Sequence, residues 1–138
     1  MAWKVTFNSS LGIIESIYTG RVTVDEVKDA AARRVSLTKE TGSESILVDA
    51  SGIVEAVGGL MDVFAFPSGL FEKEGISKMS RWALVLPKLD KARQIAEFFE
   101  TASKNRGWMV KCFEERQDAL DWLKSSGPTN KSDTSNGS

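Results

Sequence analysis

Histidine is absent from the sequence, and this absence removes several classes of active site. Histidine is the commonest general acid or base near neutral pH and the commonest side-chain ligand of transition metals. Catalytic sites of the Ser-His-Asp and Cys-His types are therefore excluded. Carboxylates and lysines show no paired catalytic pattern either. We therefore predict that the protein is not an enzyme and binds no metal or cofactor.

Cysteine and long apolar runs are equally scarce. The single cysteine, Cys112, cannot form an intramolecular disulfide, and we interpret it as a small apolar residue of a buried strand. No apolar run approaches the roughly 20 residues of a membrane-spanning helix. The N-terminus shows no secretory signal. These absences favour a cytoplasmic location.

The charge of the chain is nearly balanced. Lysine and arginine total 18 and aspartate and glutamate total 19, so no long-range attraction to nucleic acid is expected. With 138 residues, of which 41% are hydrophobic, the chain is long and apolar enough for one domain with a core. We assign residues 1–126 to this domain. Residues 127–138 are polar throughout, and we expect a disordered tail there.

Local sequence signals predict an N-terminal hairpin followed by a helix. Apolar and polar residues alternate over 3–8, and a second strand over 11–22 follows an Asn-Ser-Ser turn. Thr23 and Glu26 have the spacing of a capping box at the start of a helix. Gly42 is placed to end that helix, because glycine adopts the left-handed conformation without steric cost.

Short apolar strands then alternate with helical patterns, which is typical of βα units. In the helix that follows the predicted strand over 82–86, we expect Phe98 and Phe99 to face inward. The fold class is therefore α/β: an antiparallel hairpin, then a mainly parallel sheet of about five strands with about four helices on both faces. We expect these later strands over 45–50, 82–86 and 108–113, and the later helices over 59–74, 90–106 and 114–125.

Residues 52–81 contain more apolar bulk than one helical face can cover. A Pro-Ser-Gly sequence at 67–69 also interrupts the helical pattern. One hypothesis is a broken crossover helix whose side chains fill the core. The other is a mobile flap over an apolar pocket, or a surface that docks on a membrane or a partner. The candidate pocket and flap residues are Leu60, Met61, Phe64, Phe66, Leu70 and Phe71.

Two runs and the order of the elements resemble the SpoIIAA-like domains. The runs are Ile-Leu-Val-Asp-Ala-Ser-Gly at 46–52 and Ala-Leu-Asp-Trp-Leu at 119–123. These domains are relatives of the STAS domains of anti-sigma-factor antagonists and anion transporters. The likeness covers residues 2–125 and is closest to the stand-alone bacterial members. It implies a right-handed βα superhelix with helices on both faces of the sheet.

The resemblance implies two modes of action. Antagonists switch through a phosphorylated serine in an Asp-Ser-Ser-Gly motif, but the matching positions here, Gly58 or Gly59, have no hydroxyl. Stand-alone members look like binders of apolar ligands. We therefore predict a non-catalytic binding or regulatory module for an apolar small molecule or lipid, with peripheral membrane contact through 52–81. The alternative is an antagonist-like module for a regulatory protein partner, with or without a phosphorylation switch. A monomer and a homodimer both stay open.

Asp49 and Ser51 form a candidate polar site at a strand end, where ligands of open parallel sheets bind. The alternative for Asp49 is a local turn with the amide of Ser51 or Gly52. A phosphate on Ser51 would add nearly two negative charges, so Ser51 is also a candidate switch residue. The register of the antagonist motif argues against that role, because it places the acceptor serine later in the chain.

Overall fold

A computed structural model describes residues 3–57, 75, 79–105 and 107–125. In these ranges one sheet has the strand order β1-β2-β3-β4-β5, with β1 antiparallel to β2 and all other pairs parallel. This confirms the predicted α/β class with an N-terminal hairpin and five strands. The fourth predicted helix, over 59–74, and the predicted tail lie outside the described residues. The elements are β1 (Trp3–Asn8), β2 (Ile13–Thr23), α1 (Val24–Thr41), β3 (Ser45–Val57), β4 (Arg81–Val85), α2 (Asp90–Asn105), β5 (Met109–Phe113) and α3 (Arg116–Ser125).

The predicted signals of the hairpin and of the first helix are confirmed. The N–H of Gly12 donates to the carbonyl of Asn8 at 2.8 Å and closes the turn between β1 and β2. The Thr23 hydroxyl accepts from the Glu26 N–H at 3.2 Å, and the Glu26 carboxylate accepts from the Thr23 N–H at 2.9 Å. Gly42 ends α1 with a φ of 71°, a left-handed conformation that favours glycine.

Helices cover both faces of the sheet. One face packs against α1 and α2 through a large apolar cluster that includes Val27 and Ala96. The other face packs against α3, where Ala119 and Leu123 lie against Leu47 and neighbouring strand residues. The strands between the helices are therefore apolar on both faces, as the sequence of β3 and β4 predicts.

β3 is longer than predicted, continuing to Val57 instead of ending at Ala50. Its pairing with β4 ends at Asp49, and the following residues pair with β2 alone. Two register shifts in this pairing place an additional residue in β3 each time. The strand was predicted to end before the Ser-Gly sequence at 51–52, but Gly52 continues it. A Cβ at Gly52 would lie 2.8 Å from the Tyr18 carbonyl oxygen. The missing side chain permits this close approach of the two strands.

The predicted inward face of α2 is wrong at one position. Phe98 is 57% exposed, whereas Phe99 packs against the core. The buried residues among the described side chains of α2 are small and recur at helical spacing. They are Ala92, Ala96 and Ser103. Because this stripe of small residues faces the sheet, Phe98 lies outside it and toward solvent.

Candidate functional site

A polar network surrounds Asp49 at the point where β4 ends. Oδ1 of Asp49 accepts hydrogen bonds from the N–H of Ser51 at 3.0 Å and from its hydroxyl at 2.6 Å. Oδ2 accepts from Nη1 of Arg116 at 3.4 Å, and Nη2 of Arg116 binds the Glu15 carboxylate. The first residue of α3 is therefore tied to both β2 and β3.

Two carboxylates share one guanidinium in this network. The side chains of Glu15 and Asp49 are each 12% exposed, and that of Arg116 is 37% exposed. Burial acts to lower the pKa of Arg116, but the hydrogen bond to Glu15 and the charges of Glu15 and Asp49 outweigh it, so the pKa is raised. The guanidinium of Arg116 thus stays charged between the two carboxylates.

Asp49 and Ser51 are joined by the local hydrogen bond to the Ser51 amide that the alternative interpretation of Asp49 describes, and they do not lie at a strand end; a ligand site there stays a prediction. Asp49 and Ser51 lie within β3, beside the first register shift of its pairing with β2. Strand bulges commonly redirect side chains next to functional sites. The candidate pocket and flap residues all lie outside the described residues, so that part of the site stays a prediction. They are Leu60, Met61, Phe64, Phe66, Leu70 and Phe71.

Sequence reasoning missed Arg116, Glu15 and Asn8 as members of the network. Nδ2 of Asn8 donates to the second oxygen of Glu15 at 3.1 Å, which holds that carboxylate in place. One signal was present in the sequence. An arginine in the first turn of a helix is unfavourable beside the positive end of the helix dipole, so Arg116 indicates a carboxylate partner nearby.

A second polar group is buried on the opposite face of the sheet. Arg34 of α1 is only 2% exposed, and its Nη1 donates to the Ser16 hydroxyl at 2.8 Å and to the Tyr18 hydroxyl at 2.9 Å. Its Nε has no hydrogen-bond partner within the described part of the chain. Arg34 lies three residues after Ala31, on the buried face of α1. It anchors α1 to β2 through neutral hydroxyl groups.

The fold can be compared with known proteins. A family model for SpoIIAA-like proteins matches residues 13–124. The chain belongs to the SpoIIAA-like family. The family resemblance inferred from the sequence is thus confirmed. No curated protein matches this chain.

Two solved structures share the fold of this SpoIIAA-like chain. The anti-sigma factor antagonist SpoIIAA in its unphosphorylated form aligns with a TM-score of 0.59 at 11% identity, covering 88% of this chain and 97% of its own. An uncharacterized DUF3478-family protein with a SpoIIAA-like fold, from Shewanella loihica PV-4, aligns with a TM-score of 0.55 at 19% identity. That alignment covers 88% of this chain and 92% of the other. At these identities the likeness shows a shared fold.

Proposed function

We propose that this SpoIIAA-like chain is a non-catalytic module that acts by binding another protein. The observation that carries the proposal is the fold shared, over 88% of this chain, with a protein described as an anti-sigma factor antagonist. An antagonist of a protein factor acts through protein contacts. The comparisons therefore favour the protein-partner hypothesis over the apolar-ligand hypothesis. Fold alone does not assign function, so the proposal needs a surface and a test.

The proposed docking surface is the part of β3 that continues beyond its pairing with β4, next to the Asp49 network. Val54 lies three residues after Ser51 and is 71% exposed. Next to it, Glu55 forms an exposed ion pair with Arg21 at 3.5 Å. An exposed apolar side chain with charged and polar groups around it has the composition of a protein interface. Val54 would supply the apolar contact, and the exposed pair of Arg21 and Glu55 would supply polar contacts beside it.

The proposed binding does not use Ser51 as a phosphorylation switch. The Ser51 hydroxyl donates its hydrogen to Asp49, and a phosphate there could no longer donate it. The phosphate would also face the negative charge of Asp49, with Arg116 already shared between two carboxylates. Like-charge repulsion therefore disfavours phosphorylation at this position.

Capture of the partner from the native host tests the proposal. The tagged full chain would be crosslinked in cells, and bound proteins would be quantified by mass spectrometry. We expect one stoichiometric partner, lost in Val54→Glu and retained in Leu11→Glu. Leu11 is a matched control, since it is 41% exposed in the turn at the other end of the sheet. Ser51→Ala should also retain the partner, because the proposed binding needs no phosphate. A wild-type chain without a stoichiometric partner contradicts the proposal.

The apolar-ligand hypothesis is the second candidate function and rests on the sequence of residues 60–71. Among the described helices, none is long and apolar enough to cross a membrane. Native mass spectrometry of the purified chain tests this candidate directly. An additional non-covalent mass that is lost on denaturation would support a bound apolar ligand. A clean mass of the chain alone would count against it.

A further inference from the structure

Arg34 brings a positive charge into the interior, between α1 and the sheet. Its side chain is buried, and the two groups that accept from its Nη1 are uncharged hydroxyls. None of the ion pairs found among the described residues includes Arg34. Arginine keeps its charge in proteins, and a buried charge without a partner of opposite sign is strongly destabilising. The described residues therefore leave the charge of Arg34 unbalanced.

The free donors of Arg34 lie on one side of its guanidinium. Nη1 is used by the hydroxyls of Ser16 and Tyr18. Nε is buried and has no hydrogen-bond partner within residues 3–57, 75, 79–105 and 107–125, and no hydrogen bond found in these ranges uses Nη2. In a planar guanidinium, Nε and Nη2 form the fork that binds both oxygens of a carboxylate with two parallel hydrogen bonds. The fork that suits a carboxylate is thus the one left free.

The surroundings of this fork are apolar. Ser16 lies opposite Val5 of β1 and opposite Val48 of β3 in the sheet. Val5 and Tyr18 belong to the large apolar cluster of this face, and Val48 packs against it. Polar groups of a ligand, other than the one bound by Arg34, would lose their hydration here without replacement. A ligand that fits has one anionic group and an otherwise apolar body.

We propose that Arg34 binds the carboxylate of an apolar monocarboxylic acid through Nε and Nη2. Ser16 and Tyr18 hold the guanidinium in place for this contact. One buried cation matches one negative charge, whereas a phosphate dianion would bring a second charge that these residues leave unpaired. The inference does not depend on the proposed protein binding, and it narrows the apolar-ligand hypothesis to acids.

Calorimetric titration of the full chain with octanoate tests this inference. Octanol has the same chain without the charge, and octyl phosphate carries nearly two charges at a pH of about 8. We expect octanoate to bind at least about tenfold more tightly than either control compound. In the NMR spectrum of the chain, the Nε–H resonance of Arg34 should shift as octanoate is added, because this group donates to the bound carboxylate.

Substitutions in α1 and β2 locate the binding. Arg34→Met keeps most of the apolar length and removes the guanidinium, so octanoate should bind at least about tenfold more weakly. Arg33→Met is the matched control, since Arg33 is the preceding residue of α1 and forms an exposed pair with Glu40; it should leave binding unchanged. Tyr18→Phe removes only the hydroxyl that holds Arg34, and binding should weaken about fivefold. This variant keeps the test decisive if Arg34→Met does not fold.

Several results would overturn the inference. These are no binding of octanoate at ~1 mM, equal binding of octanol or octyl phosphate, and undiminished binding in Tyr18→Phe and Arg34→Met. Binding that leaves the Nε–H resonance of Arg34 unchanged would also overturn it, because the acid would then lie elsewhere. Each of these failures leaves the proposed function standing, since partner capture and its loss in Val54→Glu are measured independently. If octanoate binds as expected and no protein partner is captured, the proposed function fails instead.

Discussion

The substitution Arg116→Met tests how strongly the polar network holds α3 on the sheet. Methionine keeps most of the apolar length of the side chain and removes only the guanidinium. Glu15 and Asp49 would then lose their shared cation while each remains only 12% exposed. Asp49 would keep its two hydrogen bonds from Ser51, and Glu15 would keep the one from Asn8.

The magnitude follows from burial and geometry. Removing one partner of a fully buried ion pair costs about 3–5 kcal/mol, whereas an exposed pair contributes about 0–1 kcal/mol. Arg116 is 37% exposed and its contact with Asp49 is long, at 3.4 Å, so solvent screening reduces the effect. The carboxylates of Glu15 and Asp49 are nearly buried, and this increases the expected loss of stability. We therefore expect the free energy of unfolding to fall by about 2 kcal/mol.

Urea unfolding followed by tryptophan fluorescence measures this change, since the chain contains four tryptophans. Arg93→Met is the matched control, because Arg93 pairs with the exposed Glu114 and should give no measurable shift of the urea midpoint. A double-mutant cycle with Glu15→Gln should show coupling between the two sites. A loss of less than about 0.5 kcal/mol in Arg116→Met, or an equal shift of the urea midpoint in Arg93→Met, would contradict a stabilising role of the network.

Three further predictions concern the strands and α1. Gly52→Ala should lower the free energy of unfolding by about 1–3 kcal/mol in urea, because its Cβ would lie 2.8 Å from the Tyr18 carbonyl oxygen; an unchanged midpoint contradicts this. Arg34→Ala should lower the free energy of unfolding by about 3 kcal/mol, because the buried apolar part of the side chain and its hydrogen bonds to the hydroxyls of Ser16 and Tyr18 are lost. A decrease below about 1 kcal/mol would argue that Arg34 does not anchor α1 to β2. Burial, with the nearby acidic charges, raises the pKa of Cys112 from 9.0 to about 12. As the pH rises, the thiol of the unfolded chain therefore loses its proton before that of the folded chain, so the free energy of unfolding should fall between these two pH values. Urea midpoints measured across this range should decline less in Cys112→Ala than in the wild type. Equal declines in the two chains would contradict this prediction.

Elements with local signals could be predicted from the sequence. The capping box of Thr23 and Glu26 and the glycine cap at Gly42 depend on neighbouring residues, so their residue types are sufficient. The hairpin and the alternation of helices and strands follow equally from periodicity and turn residues. These signals fixed the order of the elements well enough to indicate the family.

The candidate site was only half predictable, because its contacts join distant parts of the chain. Asp49 and Arg116 are 67 residues apart, and Glu15 and Arg116 are 101 residues apart. No periodicity relates positions at such separations. The length of β3 was also missed, since Gly52 has the residue type of a turn and its role as a close-approach position appears only when Tyr18 lies opposite.

Photo-crosslinking at position 54 shows whether the surface around Val54 contacts another protein in cells. A photoreactive residue would replace Val54 in one chain and Leu11 in a control, and both chains would be irradiated in native cells. We expect one discrete adduct of position 54 with a different protein, and no such adduct of position 11. An absence of any protein adduct at position 54, or equal adducts from both positions, would contradict it.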